Sequence, residues 1–87
     1  MVSKDVMVEC ENGLHARPAA SFAFAAAQFE SEVTIAKSES QDLGVNAKSV
    51  ISVLSLGVRK NESVKLTAIG SDEEKAIREL TMFLRNN

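Results

Sequence analysis

Histidine occurs once in this chain, at His15, and proline once, at Pro18, with Ala16 and Arg17 between them. The run Ala19–Phe29 that follows is rich in alanine and free of breakers, and its apolar groups recur at Ala19, Phe22, Ala26 and Phe29, the spacing of a helix. Proline is tolerated in a first helical turn, where an N–H has no acceptor. Pro18 therefore marks the start of the helix, and His15 falls at or beside its N-cap. The amides of Ala16 and Arg17 then lack intrahelical partners and face the space beside the imidazole. Together with the positive end of the helix dipole they form a small anion site. The Arg17 guanidinium can add paired hydrogen bonds to phosphoryl oxygens. The same field disfavours an imidazolium and leaves His15 neutral and nucleophilic. An exposed imidazole that accepts a phosphoryl group and holds it is the chemistry this arrangement offers.

A lone histidine near a helix start is also compatible with a plain capping or surface role. Arg17 makes the place less ordinary, because a cation in a first turn opposes the dipole unless an anion arrives. Little else in the chain could carry chemistry. There is no cysteine or histidine cluster for a metal and no phosphate-cradling glycine motif, so no metal or cofactor is expected. Seryl catalysis needs a base, and His15 is the sole histidine. The acids Asp72, Glu73 and Glu74 read as the first turn of a helix. One nucleophile, one guanidinium and two amides suit a carrier better than an enzyme with a substrate pocket. Helix-end stabilisation of ~0.3–1 kcal/mol and charged hydrogen bonds of ~1.5–3 kcal/mol would hold a phosphohistidine without trapping it.

The elements that must position this group are legible as alternation and caps. Val6, Val8 and Cys10 alternate with Asp5, Met7 and Glu9, which predicts a first strand, and Glu11-Asn12-Gly13 a turn. The helix runs from Ala16 to about Gln28. Val33 and Ile35 oppose Glu32 and Thr34 in a second strand, Lys37 to Asp42 form a hairpin loop, and Leu43, Val45 and Ala47 alternate as a short third strand. Ser49 is an N-cap for a short helix over Val50–Leu56, with Gly57 as its stop. Val64, Leu66 and Ala68 alternate in the clearest strand. Ser71 to Glu74 match a capping box, and Ala76, Ile77, Leu80, Phe83 and Leu84 share one side of a last helix ending near Arg85. The order strand-helix-strand-strand-helix-strand-helix, with one apolar face per strand, predicts an α+β open-faced sandwich. Its four-stranded antiparallel sheet is covered on one face by three helices.

Composition narrows the classes further. The chain has 87 residues, 45% of them hydrophobic, and a net charge of -2, which fits one soluble domain over residues 1–87. It carries no basic footprint for nucleic acid. Cys10 has no partner for a disulfide and reads as a strand residue. No secretory leader or apolar run long enough for a bilayer is present, so a cytoplasmic monomer is expected.

Gly13-Leu14-His15-Ala16-Arg17-Pro18-Ala19 resembles the active-site signature of the HPr family, the histidine-containing phosphocarriers of the bacterial phosphotransferase system. The block Val45–Gly57, with Asn46-Ala47-Lys48-Ser49-Val50-Ile51 at its centre, is similar to that family's regulatory serine and the short helix after it. The likeness spans essentially the whole chain and implies the same sandwich fold. It implies that His15 accepts a phosphoryl group on Nδ1 from phosphorylated enzyme I and passes it to enzyme IIA domains of sugar permeases. It further implies that Ala16 and Arg17 bind the phosphate and that HPr kinase/phosphorylase acts on Ser49. Two alternatives stay open: a nitrogen-branch carrier with regulatory acceptors, which a hairpin a few residues longer than usual favours, and a non-transferring co-regulator acting through Ser49. The family often carries lysine at the positions of Phe24 and Ala27. The departure here predicts an apolar docking patch of Ala20, Phe24, Val50, Ile51 and Leu54, although Phe24 could equally pack beneath a loop.

Overall fold

β-Branched alternation becomes a sheet whose buried face is set residue by residue. The computed structural model describes residues 1–9, 16–39 and 44–86, with residues 16, 17 and 86 described by their backbone alone. Its elements are β1 (Val2–Met7), α1 (Ala16–Ala27), β2 (Glu32–Lys37), β3 (Val45–Asn46), α2 (Val50–Ser55), β4 (Ser63–Ile69) and α3 (Glu73–Asn86). The four strands form one antiparallel sheet in the order β1-β4-β2-β3. Val64, Leu66 and Ala68 of β4 are buried, and Val33 and Ile35 of β2 and Val6 of β1 lie beside them. Opposite them on the other face, Ser3, Thr67, Thr34 and Asn46 stand in one cross-strand row, and the Ser3 and Thr67 hydroxyls are 2.9 Å apart. One face is apolar and the other polar, so helices cover one side only. This is the expected α+β open-faced sandwich.

Lys37, expected in the hairpin loop, is the last residue of β2, and three further features of the elements differ from expectation. The first strand begins at Val2, ahead of the predicted alternation, because every residue from Val2 to Met7 finds a partner in β4, from Ala68 to Ser63. Val8 continues that pairing in a bridge to the next loop, accepting from Asn61 N–H at 2.7 Å. The predicted Cys10 strand position, the Glu11–Gly13 turn, Leu43 and the middle of the hairpin loop lie outside the described residues. β3 is two residues long, and Ala47, expected in the strand, sits fully buried in the following turn with its N–H on the Val33 carbonyl at 2.9 Å. The third difference is the cap of α3.

That helix does not use the Ser71–Glu74 box. The Ser71 hydroxyl donates to Glu30 (3.3 Å), and the carboxylate that reaches back is Glu73, which accepts from Gly70 N–H at 3.0 Å. Glu73 also pairs with the N-terminal amine of Met1, again at 3.0 Å. Asp72 is occupied across the molecule. Its carboxylate accepts from the Ser31 hydroxyl, the Glu30 amide at 2.9 Å and the Ser31 amide at 3.0 Å, and so clamps the α1–β2 turn to the start of α3. The fit requires glycine at position 70, where an added Cβ would lie 2.6 Å from Ser31 Cα. On the buried side of α3, Ala76, Ile77, Leu80 and Leu84 face the core as expected. Phe83 is half-buried and meets Phe22 edge to face, ring centres 5.7 Å apart. Thr81, which the apolar pattern does not mark, is buried as well, its hydroxyl without a hydrogen-bond partner among the described residues.

The Ser31 hydroxyl first, and then the Glu30 amide, hold the Asp72 carboxyl below the usual carboxylate range; the Gly70 amide and the N-terminal amine do the same for Glu73. A carboxyl whose folded pKa is depressed stabilises the fold above its unfolded pKa and loses that contribution as pH falls through the folded one. Melting temperature should therefore drop progressively below about pH 4. In Asp72→Asn it should start several degrees lower at neutral pH and fall less steeply in acid. Parallel melting-temperature curves for parent and variant between pH 2 and 6 would show that the clamp does not act through its charge.

Candidate functional site

Helix α1 opens at Ala16, one residue after His15. Its first-turn amides, Ala16 and Arg17 among them, have no intrahelical acceptor by the geometry of any α-helix. No acidic residue occupies that turn, so the positive end of the dipole is not neutralised from within the helix. His15 lies outside the described residues, and of Ala16 and Arg17 only the backbone is described. The expected end at about Gln28 becomes Ala27, with Gln28 and Phe29 closing a tight turn on the Ala25 and Ala26 carbonyls, both at 3.2 Å.

The rotation of α1 decides which side chains surround its start. Ala19, Phe22, Ala23 and Ala26 are buried, and the helix packs against α2 and α3. Ala20 and Phe24 consequently face outward, Phe24 with 71% of its surface exposed. Phe24 does not pack beneath a loop.

Helix α2 packs beside α1. Ser49 takes an extended conformation and its hydroxyl accepts from Ser52 N–H at 3.3 Å, the cap expected from sequence. The helix stops at Ser55, with Leu56 as C-cap and Gly57 at φ 62°, the left-handed conformation that favours glycine after a helix. Val53 is fully buried and anchors α2 to the core. That leaves Val50, Ile51 and Leu54 outward, exposed by 38%, 81% and 39% respectively. Neither helix has an acidic residue in its first turn or a basic one in its last. Apart from Arg17 neither helix contains a charged residue, and exposure of several large apolar groups on two adjacent helices is the usual mark of an interaction surface.

Among the described residues, clefts lie between α3 and β1, between α1 and α3, on the open face of the sheet and at the start of α3. Among the described residues no group of histidine, cysteine and acidic side chains could hold a metal ion, and no helix is long and apolar enough to cross a membrane. One residue escaped the sequence reading. Lys48 bonds to the carbonyl of Phe29, at the far end of α1, at 2.7 Å. The available signal was a lysine beside a capping serine, in a chain whose first helix has no basic residue in its last turn.

A family model described as the PTS HPr component phosphorylation site matches residues 2–86. The chain belongs to the HPr family. Among its relatives, the phosphocarrier protein HPr of Haloferax volcanii is 42% identical over 87% of this chain and 84% of its own. The HPr-like protein Crh of Halalkalibacterium halodurans is 39% identical over 97% of this chain and 96% of its own. Among solved structures, the phosphocarrier protein HPr of Bacillus anthracis superposes with a TM-score of 0.88 at 37% identity, covering 95% of each chain. The HPr fold is thus shared at the level of both sequence and architecture.

The two phenylalanines of α1 give this description a direct check. Phe22→Ala should cost about 3–5 kcal/mol, the price of a buried aromatic. Phe24→Lys should stay within about 0.5 kcal/mol of the parent. Chemical denaturation of both variants measures this, and similar losses at the two positions would mean that α1 is rotated differently.

Proposed function

We propose that this protein is a phosphocarrier of the phosphotransferase system, taking a phosphoryl group from phosphorylated enzyme I onto His15 and delivering it to enzyme IIA domains of sugar permeases. The observation that carries the reading is the opening of α1 at Ala16, directly after the one histidine of the chain, in a member of the HPr family. In the transfer the lone pair of a neutral imidazole nitrogen, Nδ1 by resemblance, forms a P–N bond as the bond to the donor breaks. Arg17 and the amides of Ala16 and Arg17 receive the charge on the phosphoryl oxygens. The return step runs the same way, with the imidazole as leaving group, so the protein acts stoichiometrically and is not itself an enzyme. It works as a single chain in the cytoplasm. A nitrogen-branch carrier would use the same chemistry with other acceptors. A co-regulator that acts through Ser49 without transfer would make no use of the histidine that precedes α1, so His15 disfavours it.

Incubation with enzyme I and phosphoenolpyruvate tests the reading. The expected label is acid-labile and base-stable, as a phosphohistidine is, and is lost in His15→Ala. Arg17→Ala should slow transfer in both directions with the fold intact; equal rates would remove Arg17 from the mechanism. Label retained without His15 would overturn the assignment.

Docking on this reading uses Ala20, Phe24, Val50, Ile51 and Leu54, with apolar contact outweighing charge. Binding to enzyme I should depend weakly on salt, and the folded Phe24→Lys variant should bind less well.

Ser49 adds regulation. A phosphate there, placed by HPr kinase/phosphorylase, brings ~1.5–2 negative charges to the N-terminus of α2, where the dipole tolerates them. The fold survives, but the charges enter the apolar docking surface and must be desolvated against the partner. Ser49→Asp should keep or slightly raise the melting temperature while accepting phosphoryl groups from enzyme I much more slowly. Ser49→Ala should lose about 0.5–2 kcal/mol of stability and transfer normally. Parental transfer by Ser49→Asp would leave Ser49 with the capping role alone.

A further inference from the structure

Lys48 joins the two docking helices from behind. Its ammonium donates to the Phe29 carbonyl, 2.7 Å away and 19 residues earlier in the chain. Phe29 belongs to the tight turn that ends α1, where carbonyls have lost their intrahelical donors. A helix C-terminus favours a cation. Since the last turn of α1 has no basic residue, this one arrives from the segment that starts α2. The other end of Lys48 is fixed just as closely. Its amide donates to Asn46 Oδ1 at 2.9 Å, and the next amide, that of Ser49, donates to the Asn46 carbonyl at 3.1 Å. Ser49 then caps α2. One half-buried side chain therefore spans from the cap of the second helix to the end of the first.

The bond is charged on one side only. The Phe29 carbonyl is neutral, and among the described residues no carboxylate comes within ion-pair distance of Lys48; Glu32 lines the same groove on the sheet without pairing with it. An ammonium bonds more strongly to an anion than to a neutral carbonyl. An anion on residue 49, one position along the chain, is such a competitor, and the lysine stem is flexible enough to turn toward it.

We propose that Lys48 is a positioning residue that reports the charge at position 49 to α1. With an uncharged serine the ammonium holds the C-terminal turn of α1 against the α2 cap. With a negative charge at 49 it is drawn to that charge, and the turn that follows Phe24 on the docking helix loosens. This rests on the regulatory reading of Ser49 only for the source of the charge.

Amide exchange at Gln28 and Phe29 in the free protein tests it, in the parent, Lys48→Met, Ser49→Asp and the double variant. Lys48→Met keeps the aliphatic stem and removes the donor. Exchange at both amides should rise about tenfold or more in Lys48→Met, the scale of one charged hydrogen bond, and by a similar factor in Ser49→Asp. In the Lys48→Met background Ser49→Asp should add less than about twofold, because the link is already gone, while Lys48→Arg should exchange like the parent. Unchanged exchange in Ser49→Asp, or an effect of Ser49→Asp that persists in full without Lys48, would overturn the proposal. Should Lys48→Met fail to fold, the 13C shift of the Phe29 carbonyl in Ser49→Asp decides alone: it moves if the ammonium leaves, and an unmoved carbonyl overturns the proposal. No partner protein enters these measurements, so their failure and a failure of phosphoryl transfer are separate results.

Discussion

Phe22 and the alanines beside it determine how the rest of this molecule can work. A helix of Ala19, Ala23 and Ala26 can approach its neighbours α2 and α3 closely, but alanines alone would leave its rotation loosely defined. Phe22, fully buried and set edge to face against Phe83 of α3, fixes that rotation. Burial of one such side chain contributes about 1.5–3 kcal/mol, a large share of the stability of a domain this small. Once α1 is pinned, its opening at Ala16 and the outward position of Phe24 both follow. The start of α1 beside His15 and the exposed apolar face are two consequences of one packing choice.

The same packing explains where charge is placed. Acids gather at the start of α3, where the dipole favours them and where Asp72 and Glu73 hold neighbouring turns together. Arg85 sits in the last turn of α3 and pairs with Glu9 at 3.2 Å. Between these ends, the outer surface of α1 and α2 carries Phe24, Ile51 and Leu54. A surface of this kind gains from desolvation when it docks and is poorly served by long-range steering. Its weakness is that a charge placed on it must be desolvated too, which is the physical basis for the control proposed at Ser49.

Local signals were legible in the sequence and distant ones were not. The Ser49 cap, the Gly57 stop, the alternation of β4 and the start of α1 each depend on a few adjacent residues, and each appears where the residues place it. The outward face of Phe24 followed from its offset to Phe22 and Ala26, but whether a loop covered it depended on the whole fold. The early start of β1 needed knowledge of its β4 partner, and the shortness of β3 depends on how the chain turns into the α2 cap at Ala47. Ser71 fitted the box pattern, yet its hydroxyl turns to Glu30, 41 residues away, and Glu73 takes the reciprocal role. Lys48 and Thr81 illustrate the same limit: a polar residue beside a cap or inside an apolar stripe finds its surroundings only when the helices pack.

The central claim is that the first amides of α1 receive the phosphoryl group carried by His15. It is tested most directly by 1H–15N spectra recorded before and after the protein is charged with enzyme I and phosphoenolpyruvate. Hydrogen bonds to a phosphoryl oxygen deshield amide protons, so the account predicts large downfield shifts at Ala16 and Arg17, with β4 and α3 nearly unmoved. Complete phosphorylation that leaves both amides where they were would contradict it.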